Sequence, residues 1–175
     1  MPLVLLPENG VQEGVAGRRM TREGNMSGYW LLCVVVMVTG CPHASSHATG
    51  AAGGRLAVCP ESPNCVCSQD TDARHAIAPL RYKGYSFERA RKVLLGVLSG
   101  MKRTRIVEDT GAYLHVEFTS AIFRFVDDVE FLFDAGSGTI HMRSASRAGY
   151  SDFGVNRRRM EAIRSQFDAL MKKEA

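Results

Sequence analysis

Between residues 104 and 146, runs of strand-like sequence follow one another with connectors of only a few residues. "TRIVEDT" (104–110) gives way at Gly111 to "AYLHVEFTS" (112–120), where Leu114, Val116 and Phe118 alternate with Tyr113, His115, Glu117 and Thr119. "FRFVDDVEFLFD" (123–134) then turns through "AGSG" into "TIHMRSAS" (139–146). Parallel neighbours need a crossover of about a dozen residues or more, so connectors this short demand an antiparallel meander. Helical spacing flanks the strands on both sides. Ser86 is placed to cap a helix over 86–101, in which Phe87, Ala90, Val93, Leu94, Val97, Leu98 and Met101 share a face. Met160, Ile163, Phe167 and Leu170 do the same over Val155 to Lys173. The expectation is a single α+β domain: four antiparallel strands with an N-terminal and a C-terminal helix packed on one face, and 76–85 adding an edge strand.

The domain does not begin at residue 1. Residues 29–38, "YWLLCVVVMV", are apolar but too short to span a bilayer, which takes about 20 such residues. They suit the apolar region of an export signal, with Arg18, Arg19 and Arg22 before them. "VTGC" follows at once and resembles the lipobox of bacterial lipoproteins, which implies a diacylglycerol-modified Cys41 as the mature N-terminus. Residues 1–40 are therefore read as a signal peptide, with translation starting at Met20 rather than Met1 as the expectation. "PHASSHATGAAGGR" lacks periodicity, so 41–56 is expected to be a lipidated flexible tether, and 57–175 the domain. His43 and His47 are expected to be solvated bystanders. Pro42 is not the aspartate that resembles an inner-membrane retention signal, so the expected location is the periplasmic side of a bacterial membrane, the outer one by preference.

"CPESPNCVCSQ" (59–69) places three thiols in a segment too short for a core element. In an oxidising compartment surface thiols pair. Cys65 and Cys67 are one residue apart, a poor geometry for a mutual bond, whereas Cys59 can reach either one. Cys59–Cys65 is the first expectation. A zinc site from Cys59, Cys65 and Cys67 with His75 as a further ligand matches no common spacing, and a catalytic cysteine would have only His75 as its base.

"CPESPNC" (59–65), "VDDVEF" (126–131) and "RSASRAGYSDFGVNRRRMEAIR" (143–164) together resemble the domain of unknown function numbered 1499, a bacterial family with chloroplast relatives. The resemblance runs from residue 59 to about 171. It implies serine where this chain has Cys67, which supports Cys59 and Cys65 as the bonded pair. It implies no reaction.

Two constellations remain as candidates. Asp128 and Glu130 share a strand face, as do His141 and Arg143 on the next strand, whereas Asp127 points the other way. These groups suit an enzyme using Asp128, Glu130 and His141, or plain ion pairs on an exposed sheet face. The junction of the last strand and last helix gathers Arg143, Ser144, Ser146, Arg147, Asp152, Asn156 and Arg157. Arginine side chains and the free N–H groups of a helix start attract anions. The competing expectation is that Asp152 or Asn156 caps the helix while the arginines pair with Asp127, Asp128, Glu130 and Asp152.

No P-loop, G-x-G-x-x-G, H-E-x-x-H or G-x-S-x-G occurs, and no cofactor or metal is expected. A net charge of +4 is too mild to argue for nucleic acid. The functional expectation is a membrane-anchored, non-catalytic binding module. Its partner would be an anionic small molecule, a lipid headgroup, a cell-wall component or an envelope protein.

Overall fold

A computed structural model describes residues 49–173. The expected signal peptide, Cys41 and the expected tether up to residue 48 lie outside the described residues. The meander is present: β5 (Thr104–Asp109), β6 (Tyr113–Thr119), β7 (Val126–Asp134) and β8 (Thr139–Ser146) pair antiparallel in sequence order. Two short strands complete the sheet on the far edge of β8. β3 (Cys65–Cys67) pairs with Arg143 to Ala145, and β4 (Leu80–Arg81) pairs with Thr139 and Ile140. The expected edge strand over 76–85 is thus only two residues long.

Helices α1 (Phe87–Ser99) and α2 (Val155–Lys173) cover one face. The Ser86 hydroxyl accepts the Arg89 N–H and caps α1. Ala90, Val93, Leu94, Val97 and Leu98 then pack on Leu114, Val116, Phe131, Ile140 and Met142, with Met160, Ile163 and Phe167 from α2. Burying a leucine such as Leu94 contributes about 1.5–3 kcal/mol. This core lies wholly within Pro42–Ala175, which is a compact unit by itself. Among the described residues no helix is long and apolar enough to cross a membrane.

The long strand expected from residue 123 begins at Val126 instead. The Ser120 N–H donates to the Phe125 carbonyl and Arg124 takes a left-handed φ of 57°, so the pleat breaks and Ala121–Phe125 form a loop. Residues 51–56, expected to belong to the flexible tether, are instead in regular structure. β1 (Ala51–Ala52) and β2 (Arg55–Leu56) form a hairpin that lies on the sheet face opposite the helices. Leu56 is buried there against Cys67, Tyr113 and Leu132. Cys59 and Cys65 form a disulfide, Cα atoms 5.7 Å apart, and Cys67 is a free buried thiol. Sulfurs joined in this way are not thiolate ligands, which removes the zinc alternative at these positions.

Candidate functional site

β7 and β8 carry most of the charged residues singled out in the sequence, and the pleat divides them between two faces. Glu130 sits opposite Arg143, Asp128 opposite Ala145, and Asp127 opposite Ser146.

On the face away from the helices Glu130 is fully buried. Its Oε2 accepts Arg143 Nη1 at 2.7 Å, and its Oε1 accepts the Tyr113 hydroxyl at 2.8 Å and the Gly50 N–H at 2.6 Å. Burial, reinforced by the Glu130 carboxylate, pushes the Tyr113 pKa far up, so the phenol stays a donor. One pleat along, Asp128 accepts Arg147 Nε at 2.8 Å and Nη2 at 2.7 Å, and its Oδ1 lies 2.7 Å from His115 Nε2. Burial pushes the Asp128 pKa up, but the bonds from Arg147 and His115 outweigh it and hold the carboxyl below its ordinary range. Arg147 also donates to Glu117 at 2.6 Å, and Arg105 closes the row on the other Glu117 oxygen at 2.6 Å. The carboxylates of the sheet face expected to be exposed are therefore buried or nearly so and paired, with Glu130 bonded to Gly50 beside the β1–β2 hairpin, while Arg147 and Arg105 at the other end of the row stay open to solvent.

His141 stands apart from both carboxylates. Its strand neighbour is Leu132, and its Nδ1 is 3.4 Å from the Ser68 hydroxyl, whose oxygen already accepts the Met142 N–H. Burial lowers its pKa. Asp128, Glu130 and His141 thus share a face without converging on one point.

The helix-facing side holds a second network. The Ser144 hydroxyl donates to Asn156 Oδ1 at 2.5 Å, and Asn156 Nδ2 donates to Ser146 Oγ and the Asn64 carbonyl, each at 2.9 Å. Asn64 Nδ2 donates to the Gly149 carbonyl at 2.6 Å. Arg159 donates to Asn156 Oδ1 at 2.7 Å and to Asp127 at 2.5 Å. Arg157 reaches the carbonyls of Ala76 and Arg74 at 2.8 and 2.9 Å. Asp152 accepts the N–H groups of Gly154 and Asn156, so it caps the first turn of α2, whereas Asn156 does not.

The seven residues expected to form one anion site consequently fall into separate groups. Arg143 and Arg147 lie on one side of the sheet, and Ser144, Ser146 and Asn156 lie on the other. Sequence reasoning missed Asn64, Arg159, Ser68, and the pairing roles of Tyr113 and His115. Asn64 was visible inside "CPESPNC" and Arg159 as the third arginine of "NRRR", but nothing local showed that they meet.

The open groups gather where β6, β7 and β8 reach their loops. The loop 120–125 lies beside the loop 147–154, because the Arg147 N–H donates to the Val126 carbonyl. The α1–β5 turn joins them, since Arg103 exchanges bonds with the backbone of Thr119. Behind these loops is a cleft of about 470 Å³ lined by Lys102, Arg103, Arg158 and Arg159, with Phe118 and Asp127.

A family model described as "Protein of unknown function (DUF1499)" matches residues 55–167. No curated protein and no solved structure matches the chain.

Proposed function

The chain belongs to the family described as protein of unknown function (DUF1499), a description that assigns no reaction, and we propose from its geometry a non-catalytic binding module anchored to a bacterial membrane. The observation that carries this reading is the fate of the sheet's acids and bases. Asp128 and Glu130 are buried and each is held by an arginine, so neither is presented to a substrate. Catalytic carboxylates must meet the reacting atoms; these meet only the protein.

Anchoring rests on the apolar run and the lipobox-like "VTGC" ending at Cys41, which support a location on the periplasmic side, the outer membrane by preference. The module's surface for an anionic ligand or an envelope partner is the loop end, where basic side chains stay open.

Two measurements test the reading. Cys41→Ser should move the exported protein from the membrane to the soluble fraction and remove the acyl mass; unchanged fractionation and mass would refute the anchor. In cells lacking the wild-type chain, any envelope defect should be repaired by His141→Gln as fully as by wild type. A folded His141→Gln protein that fails to repair it would count against the non-catalytic reading and favour the enzymatic alternative built on Asp128, Glu130 and His141.

A further inference from the structure

The loop end combines two features seldom left together in water. Ile122, Phe123 and Phe153 are 82%, 73% and 86% exposed, and Phe125 and Tyr150 are exposed beside them. Lys102, Arg103, Arg124 and Arg158 surround them, and none is in an ion pair among the described residues. The cleft behind has one lining carboxylate, Asp127, which is buried and neutralised by Arg159.

We propose that this end docks on an anionic phospholipid bilayer: Phe123, Phe125 and Phe153 enter the interface, and Lys102, Arg103, Arg124 and Arg158 meet the lipid phosphates. The inference deepens the binding-module reading by naming its partner. Aromatic rings flanked by basic side chains are the chemistry of a membrane–water boundary, and each cation is drawn to the negative surface.

The shape favours a bilayer over a protein groove. The apolar groups stand on projecting loop tips, which a soft interface can receive without a matching cavity. The loops are also pre-formed. The Ser120 hydroxyl accepts the Phe125 N–H at 2.9 Å, and the rings of Phe123 and Phe125 stack with centroids 5.6 Å apart. Arg103, Arg124 and Phe153 are the non-glycine residues with left-handed backbone among the described residues, and all three are at this end. Little ordering is then left to offset on binding.

An anchor at Cys41 would permit the contact. Gly50 is bonded to Glu130, four residues along β7 from Val126, which is about 13 Å from the loops. The eight residue-to-residue steps from Cys41 to Thr49 can span up to about 26–29 Å.

The test uses the compact unit Pro42–Ala175, which lacks both the apolar run and Cys41, so that its failure would not touch the anchor. It is sedimented with vesicles of pure phosphatidylcholine or of phosphatidylcholine with a third phosphatidylglycerol. Binding should require the anionic lipid and weaken when salt rises from about 0.05 to about 0.5 M. Phe123→Ser with Phe153→Ser should weaken it at least tenfold, and Lys102→Gln with Arg124→Gln should do likewise. Leu170→Ser, on α2 about 22 Å from its start, should bind as wild type. Unchanged melting of each variant shows that the fold is kept. No binding to either vesicle, binding indifferent to lipid charge, or loop variants that bind as wild type would overturn the proposal. Absence of vesicle binding with dimerisation abolished by the Phe variants would assign the patch to a second copy instead.

Discussion

Glu130 illustrates what a buried charge demands. Three donors surround it, and Arg143 beside it is 1% exposed. Removing one member of a buried pair strands the other, which costs about 3–5 kcal/mol. Glu130→Leu and Arg143→Met alone should each lower the unfolding free energy by that amount, read as a lower urea midpoint. The double variant should recover most of the loss, because the uncompensated charge is gone. If the double variant is as unstable as the sum of the singles, the pairing is not what holds the site. Asp128 and Glu117 set the acid limit. Both are held below their ordinary pKa by arginine partners that outweigh burial, so the folded state binds fewer protons than the unfolded state as pH falls. Their contribution is complete above about pH 4–4.5, the unfolded range, and is lost as pH falls through the depressed folded values. Asp128→Asn should flatten stability against pH in that acid window while lowering stability at pH 7; an unchanged acid limb would contradict the pairing.

At the level of elements, the meander and both helices were legible because each is a local pattern. Period-2 alternation, turn residues at 135–138 and the Ser86 cap all act over a few residues. The hairpin over the outer face was not legible, since "AAGGRL" has no periodicity and is ordered by distant partners such as Gln69 and Glu130. The same holds at the candidate site. Its residues read in the sequence as one polar group, but alternation along β8 sends Arg143 and Ser144 to opposite faces, and their partners come from 13 residues away for Arg143 and 12 for Ser144. Asn156 ties α2 to β8 and to the segment after Cys59. Asn156→Ala should therefore leave Ser144, Ser146 and the Asn64 carbonyl short of partners, at a cost of about 1–3 kcal/mol, visible as a lower melting temperature. A neutral Asn156→Ala would show that the network is dispensable. Reducing the Cys59–Cys65 bond, which closes a separation of only six residues, should cost about 2 kcal/mol at most.

Seen as a whole, the molecule has helices on one side of its sheet and the beginning of its described chain laid across the other. Force applied at the N-terminal end would first meet Gly50 on Glu130 and the hairpin that Leu56 pins to the sheet. Peeling that strap should release residues 49–58 as a short early extension. At Cys59 the load would cross the disulfide directly to Cys65, passing by Pro60 to Asn64, and enter β3 on the edge of the sheet. The six-residue link is then a mechanical shunt as well as a staple. Single-molecule pulling under reducing conditions should lengthen the early extension by the slack it conceals, and an identical extension with and without reductant would mean that the load travels another way.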